Sequence, residues 1–151
     1  MIIVGSEAEP LRDLVGQHLG FSEWMSIDQE QVDRFAEAIG DHQWIHVDPK
    51  RAADGPFGGT VVHGFLILAL TSRVLEQVLV PEGVRMKVNY GCDRVRFLSP
   101  VLVGSRIRAG VRLREVRPLR SGVRLALSLT FETDRRRVPV CVAQVLVHNY
   151  A

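Results

Sequence analysis

Apolar residues return at helical spacing between Asp28 and Gly40: Val32, Phe35, Ala36 and Ile39 form one stripe among mostly polar neighbours. Asp28 stands at the N-cap position, and Gln31 three residues later completes a capping box. Gly40 follows the last apolar position, where a helix commonly ends in the left-handed conformation. The spacing therefore predicts a helix that stops just before Asp41. Glu9 to Val15 predicts a short leading helix, "FSEWMSI" (Phe21 to Ile27) a short strand, and "DPKRAADG" one helical turn capped by Asp48. After the glycine-rich "GPFGGTVVHG" (Gly55 to Gly64), His63 to Leu79 predicts a long helix closed by Pro81. Its first two turns are apolar on every side. Such a helix is buried, and in a chain this small it requires a sheet wrapped around it.

The second half supplies that sheet. From Arg106 to Arg114, Ile107, Ala109, Val111 and Leu113 alternate with arginines and Gly110, which is the period of a strand with one wet face. "PLRSG" (Pro118 to Gly122) predicts a turn. Val123 to Phe131 alternates again, and "DRRR" (Asp134 to Arg137) predicts the next turn. Val138 to Val147 is apolar on both parities, so it belongs in the middle of the sheet or under cover. Arg85 to Tyr90 and Val95 to Leu98 add one or two strands. Helices first, one of them buried, then an antiparallel meander, make an α+β architecture with the sheet curled around a central helix.

The composition narrows the function. The 151 residues suit one domain spanning 1–151, with 46% apolar and 24% charged residues. A net charge of +2 gives no strong field for nucleic acid. Two cysteines, Cys92 and Cys141, are too few for a disulfide framework and lack the spacing of a zinc or redox site. They read as reduced thiols of a cytoplasmic protein. "MIIVGSEAEPLRD" has neither the basic start nor the long apolar core of a signal peptide. "GFLILAL" (Gly64 to Leu70) is far too short to span a bilayer. Lys50 and Lys87 are the only lysines beside many arginines. Arg94 and Arg96 fit either a phosphate or acidic partner, or a solvated sheet face, and neither is assigned to a site.

Candidate chemistry lies at the end of the first clear helix, in "GDHQWIHVDP" (Gly40 to Pro49). Five residues of α-helix turn through about 500°, so Asp41 and His46 converge only where the chain leaves the helix, as Gly40 allows. A carboxylate and an imidazole, with ordinary pKa values near ~3.9 and ~6.5, suit the handling of one water. The alternative is a polar helix exit, with Asp41 on nearby amides and His46 a satisfied half-buried histidine. "VVHGF" (Val61 to Phe65) brings Gly64 to the first turn of the buried helix. Free amides and partial positive charge collect there, and glycine permits close approach. The Gly64 amide is a candidate donor to a carbonyl oxygen gaining negative charge, or Gly64 is a close-packing residue. His63 reads as a structural residue orienting the loop.

Taken together, "GDHQWIHVDP", "FGGTVVHGFLILAL" and "VRFLSPVLVGSRIR" resemble the MaoC-like, (R)-specific enoyl-CoA hydratases, also called hydratase 2, over roughly Ile27 to Val147. The family pattern is Gly-Asp-x-Asn-Pro-aliphatic-His, then His-Gly before the central helix, then an Arg-Phe-x-x-Pro-Val strand. The resemblance implies a hot-dog fold, a long central helix wrapped by an antiparallel sheet. It implies addition of water to a trans-2-enoyl thioester to give an (R)-3-hydroxyacyl thioester, or the reverse, as part of fatty-acid metabolism. Asp41 and His46 then hold and activate the water, and the Gly64 amide binds the thioester carbonyl. The implied substrate is carried by coenzyme A or an acyl carrier protein. Coenzyme A is part of the substrate, and no metal or redox cofactor is required. The implied assembly is a homodimer joined edge to edge, with no nucleic acid and no membrane as partner. The chain departs from the pattern at Gln43 and Trp44, which replace Asn and Pro; this lengthens the amide by one methylene and removes a rigid turn restraint. Two other functions fit the same fold: an acyl-thioester thioesterase, against which the paired Asp41 and His46 argue, and a supporting subunit of a heterodimeric dehydratase.

Overall fold

The computed structural model describes residues 1–151, with Arg137 described by its backbone alone. The chain opens with β1 (Ile2–Val4) and a 3-10 turn (Glu9–Leu14), followed by β2 (His18–Phe21) and β3 (Met25–Ser26). Five helices come next: α1 (Gln29–Ile39), the short α2 (Trp44–Val47) and α3 (Pro49–Ala53), and α4 (Gly64–Ala69), which runs on as α5 (Thr71–Val78). The rest is extended: β4 (Leu79–Pro81), β5 (Met86–Phe97), β6 (Arg106–Leu119), β7 (Gly122–Thr133) and β8 (Arg136–Tyr150). The main sheet is antiparallel in the order β2-β6-β7-β8-β5, with β3 also pairing with β6. This is the expected α+β meander, with α4 and α5 laid across its inner face.

The period-two pattern is realised residue by residue. Val111 faces Leu129, which faces Ala143, and Ala109 faces Phe131, which faces Cys141; all are buried. These rows form the core beneath the helix. Burial pushes the Cys141 thiol up to about 11. β8 lies between β7 and β5, in the interior of the sheet, and Ala143, Val145 and Val147 of its largely apolar run are buried while Val142, Gln144 and Leu146 on the other parity are half-buried. The alternation of β6 fails after Leu113 because a bulge there inserts an extra residue. β5 reads as two pieces in the sequence for the same reason: register shifts at Asn89/Gly91 and Cys92/Arg94 interrupt one continuous strand.

Several expectations are corrected. Phe21 to Ile27 is not one strand: Ser22–Trp24 separates β2 from β3, and the Ser22 hydroxyl accepts from the Ala109 amide instead. The predicted helix from His63 to Leu79 loosens at Leu70, although the Leu70 amide still bonds Leu66 O and the Val74 amide bonds Leu70 O. Leu79 to Pro81 leaves that helix altogether and pairs in parallel with β1. Pro118 and Leu119 belong to β6, and Arg136 begins β8, so both turns are tighter than predicted. The first turns of the central helix are not covered all round. Leu66 and Ile67 are buried, whereas Phe65 is 66% exposed, because the sheet closes over one side only.

Candidate active site

The site forms where α1 ends. Asp28 caps the helix start, accepting the Gln31 amide at 2.9 Å, which is half of the expected capping box. Gly40 adopts φ 74° and its amide bonds Ala36 O, so the chain turns sharply and Asp41 leaves the helix axis. The Asp41 carboxylate then accepts the Gln43 amide through Oδ1 at 3.3 Å, and Gln43 O accepts the His46 amide at 2.9 Å. These bonds, one to a side chain and one within the backbone, close the turn at the position where the family pattern has proline. Trp44 packs against Gly55 and under the Arg51 guanidinium, 4.5 Å from its ring. It braces the loop.

His46, on α2, is buried, and Asp41 is about half exposed. Asp41 Oδ2 lies 4.0 Å from His46 Nε2. The other ring nitrogen, Nδ1, is 2.6 Å from the Val61 carbonyl. A carbonyl only accepts, so Nδ1 carries the proton and donates, and in the neutral ring Nε2 is a bare acceptor facing the carboxylate. A water at ~2.8 Å from both atoms would stand at the apex of a roughly right angle. The α2 segment is clamped from two sides. Gln29 Nε2 donates to His46 O at 2.7 Å while Thr60 Oγ1 donates to Gln29 Oε1 at 2.6 Å. The Val61 amide donates to Ile45 O, and Val62 and Val103 tie the same loop to the 101–103 segment.

Gly64 opens α4 beside this pair, and its amide has no partner in the first turn. A Cβ there would meet the Phe97 ring at 2.8 Å, so any larger residue forces that ring to shift, whatever else the glycine does. The structure brings Asp41 and His46 together, and Gly64 directly follows His63, which contacts both. It adds His63, whose Nε2 is 3.9 Å from Asp41 Oδ2 and whose ring stacks on that of His46 at 3.8 Å. It also adds Gln29 and Phe97. In the sequence Gln29 is an ordinary helix residue and Phe97 an ordinary strand residue, and no local signal marks either.

Asp41, His46 and His63 also present ligand-type atoms within 4.8 Å of one another. The two rings lie only 23° from parallel, so their in-plane lone pairs run side by side rather than converge on one ion. His63 Nε2 also lies 3.1 Å from the Asp41 carbonyl, which accepts its proton. The arrangement suits a water held between carboxylate and imidazole better than a metal.

Comparison with known proteins gives a consistent result. The family model described as a MaoC like domain matches residues 11–132. A 3-hydroxyacyl-thioester dehydratase Z of Mycobacterium tuberculosis is 49% identical over 137 residues, covering 90% of this chain and 91% of the relative. The Nodulation protein N of Rhizobium meliloti is 46% identical over 134 residues, covering 86% and 83%. Among solved structures, the (R)-hydratase from A. caviae involved in PHA biosynthesis superposes with a TM-score of 0.72 at 25% identity, covering 88% and 94%.

Proposed function

The chain belongs to the MaoC-like dehydratase family of hydro-lyases, and from that premise we propose that it adds water to trans-2-enoyl thioesters to give (R)-3-hydroxyacyl thioesters, or runs the reverse dehydration. The observation that carries the reading is the 4.0 Å gap between Asp41 Oδ2 and His46 Nε2, with the proton of His46 held on Nδ1 by Val61 O. Neutral His46 takes one proton of the water at Nε2. Asp41 accepts the other O–H and steadies the imidazolium that forms. The hydroxide oxygen bonds to C3 of the enoyl group, and the C2=C3 electron pair moves to the thioester oxygen. The Gly64 amide and the helix start meet that charge. His46 then returns its proton to C2 from the same face, so addition is syn and the side chains are regenerated. The step consumes one water and uses no metal or redox cofactor.

The carrier is coenzyme A or an acyl carrier protein. Beneath α4 and α5, a cavity of about 160 Å³ lined by Leu68 and Val145 is followed by one of about 140 Å³ lined by Leu75 and Val147. The two share Ser72 and Asn89, and both lie along the helix that begins at Gly64. The free edge of β5 is twelve residues long and carries exposed Met86, Val88, Tyr90 and Phe97 among charged residues, and an unpaired edge of that length is a ready template for another strand. A second copy of the chain, joined edge to edge, is the assembly we propose, and a related hot-dog chain there would make a heterodimeric dehydratase. Among the described residues, no helix is long and apolar enough to cross a membrane. The unpaired thiols of Cys92 and Cys141 fit the reducing cytoplasm.

The test is incubation with crotonyl-CoA and with longer enoyl-CoAs, resolving product stereochemistry and assaying free thiol. An (R)-hydroxy product without thiol supports the proposal. Thiol release identifies a thioesterase, and turnover only with a second chain identifies a supporting subunit.

A further inference from the structure

His63 is almost wholly buried, at 2% exposure, and contacts both Asp41 and His46. Its Nε2 is 3.1 Å from the Asp41 carbonyl, so that nitrogen holds the proton and donates. The same atom lies 3.9 Å from Asp41 Oδ2. One ring face is stacked on His46 at 3.8 Å, and Phe35 meets the ring edge-on at 5.3 Å. The His63 carbonyl accepts the Leu66 and Ile67 amides, so the residue also starts the helix that presents Gly64. Its Nδ1 is buried without a hydrogen-bond partner among the described residues. A buried bare nitrogen is unfavourable. Phenylalanine would fill the same space without that cost, and an amide would supply the donor without the ring. Histidine is the side chain that supplies donor and flat face together.

We propose that His63 is a positioning residue for the reaction: its Nε2–H fixes the Asp41 backbone beyond the helix end, and its ring is the platform on which His46 lies. The two contacts together set the Asp41–His46 gap. The platform must be a neutral ring. When His46 takes the proton of water, an imidazolium forms 3.8 Å from the face of His63, and a neutral ring there avoids repulsion between two like charges. A charged His63 would set two cations face to face and add a second buried N–H, at Nδ1, with no acceptor.

The role rests on the hydration reading, so its test has one arm that does not need turnover. In ¹⁵N spectra of the wild-type protein, His63 carries its proton on Nε2 with Nδ1 bare, and His46 the reverse. A proton on His63 Nδ1 overturns the proposal, even in a protein that hydrates nothing. An absence of turnover with every enoyl thioester overturns the hydration reading alone. In the kinetic arm, His63→Phe keeps the face and loses the donor, and His63→Asn keeps a donor and loses the face. Each lowers kcat by about 10- to 100-fold, in keeping with the sensitivity of catalysis to small misplacements, with KM within about threefold. In a His46→Gln background the same changes cost little further rate, because the two residues act as a unit. Unchanged kcat in both variants, or equal losses in both backgrounds, overturns the positioning role.

Discussion

Replacing Gly64 by Ala separates two reasons for a glycine at the helix start. The added Cβ would stand 2.8 Å from Cγ and Cδ2 of Phe97 and 2.9 Å from Cε2, inside the contact distance of carbon atoms. The atoms met include the root of the ring, so the whole side chain must move. Overpacking costs about 1–3 kcal/mol. Phe97 is 44% exposed in the single chain, which favours the lower half of that range there, and a second copy covering the β5 edge would raise the cost toward the upper half. A domain of this size loses roughly 2–4 °C of thermal midpoint per kcal/mol, so Gly64→Ala is expected to melt a few degrees early. The backbone amide is retained, and the expected fall in hydration rate of about tenfold or more comes from the displaced ring and the crowded carbonyl. Calorimetry and enoyl-thioester turnover on Gly64→Ala, Phe97→Ala and the double variant measure both. Phe97→Ala in the Gly64→Ala background should restore the midpoint relative to Gly64→Ala alone. A Gly64→Ala protein with wild-type midpoint and rate would refute both the packing argument and a close carbonyl at that amide.

Gln29→Ala removes the donor to His46 O and the acceptor of Thr60 Oγ1, two short bonds that clamp α2. Leaving those buried partners unpaired costs about 1–3 kcal/mol, and kcat should fall with the midpoint; an unchanged kcat would separate the clamp from catalysis. Asp134 is held below the usual carboxylate range by the Arg106 side chain, which donates at 2.9 Å, and then by the Arg106 amide at 3.0 Å. A depressed folded pKa stabilises the native state above the unfolded value of ~3.9, and that stability is lost as pH falls through the folded value. Asp134→Asn should therefore lower stability at neutral pH by under ~1 kcal/mol, given solvent screening. The difference from wild type should close in acid, and melting curves across that range decide it.

The parts of the fold legible in the sequence are those set by short-range rules. Asp28, the Val32–Ile39 stripe and Gly40 define α1 because capping, periodicity and a left-handed exit are local. β6 and β7 announce themselves because one face is buried and the other wet. The pairing of β1 with β4 was not legible: three-residue strands carry no period, and their contact joins chain segments far apart in sequence. The exposure of Phe65 was missed because an all-apolar helix start looks the same whether covered by its own sheet or left for a second surface. At the site, residue type and order made Asp41, His46 and Gly64 candidates, and their proposed roles come from the family resemblance. The stacking of His63 on His46 was not, since it depends on how the 60–63 loop crosses α2.

The measurement that tests the account most directly is the loss of enoyl-thioester absorbance with wild type, Asp41→Asn and His46→Gln side by side, each checked for an intact thermal midpoint. Removing a group that orients or deprotonates the water should lower the rate by about 10²- to 10⁴-fold, with an (R)-hydroxy product from the wild type. Folded variants that both hydrate at near wild-type rates would show that the water is not held between Asp41 and His46.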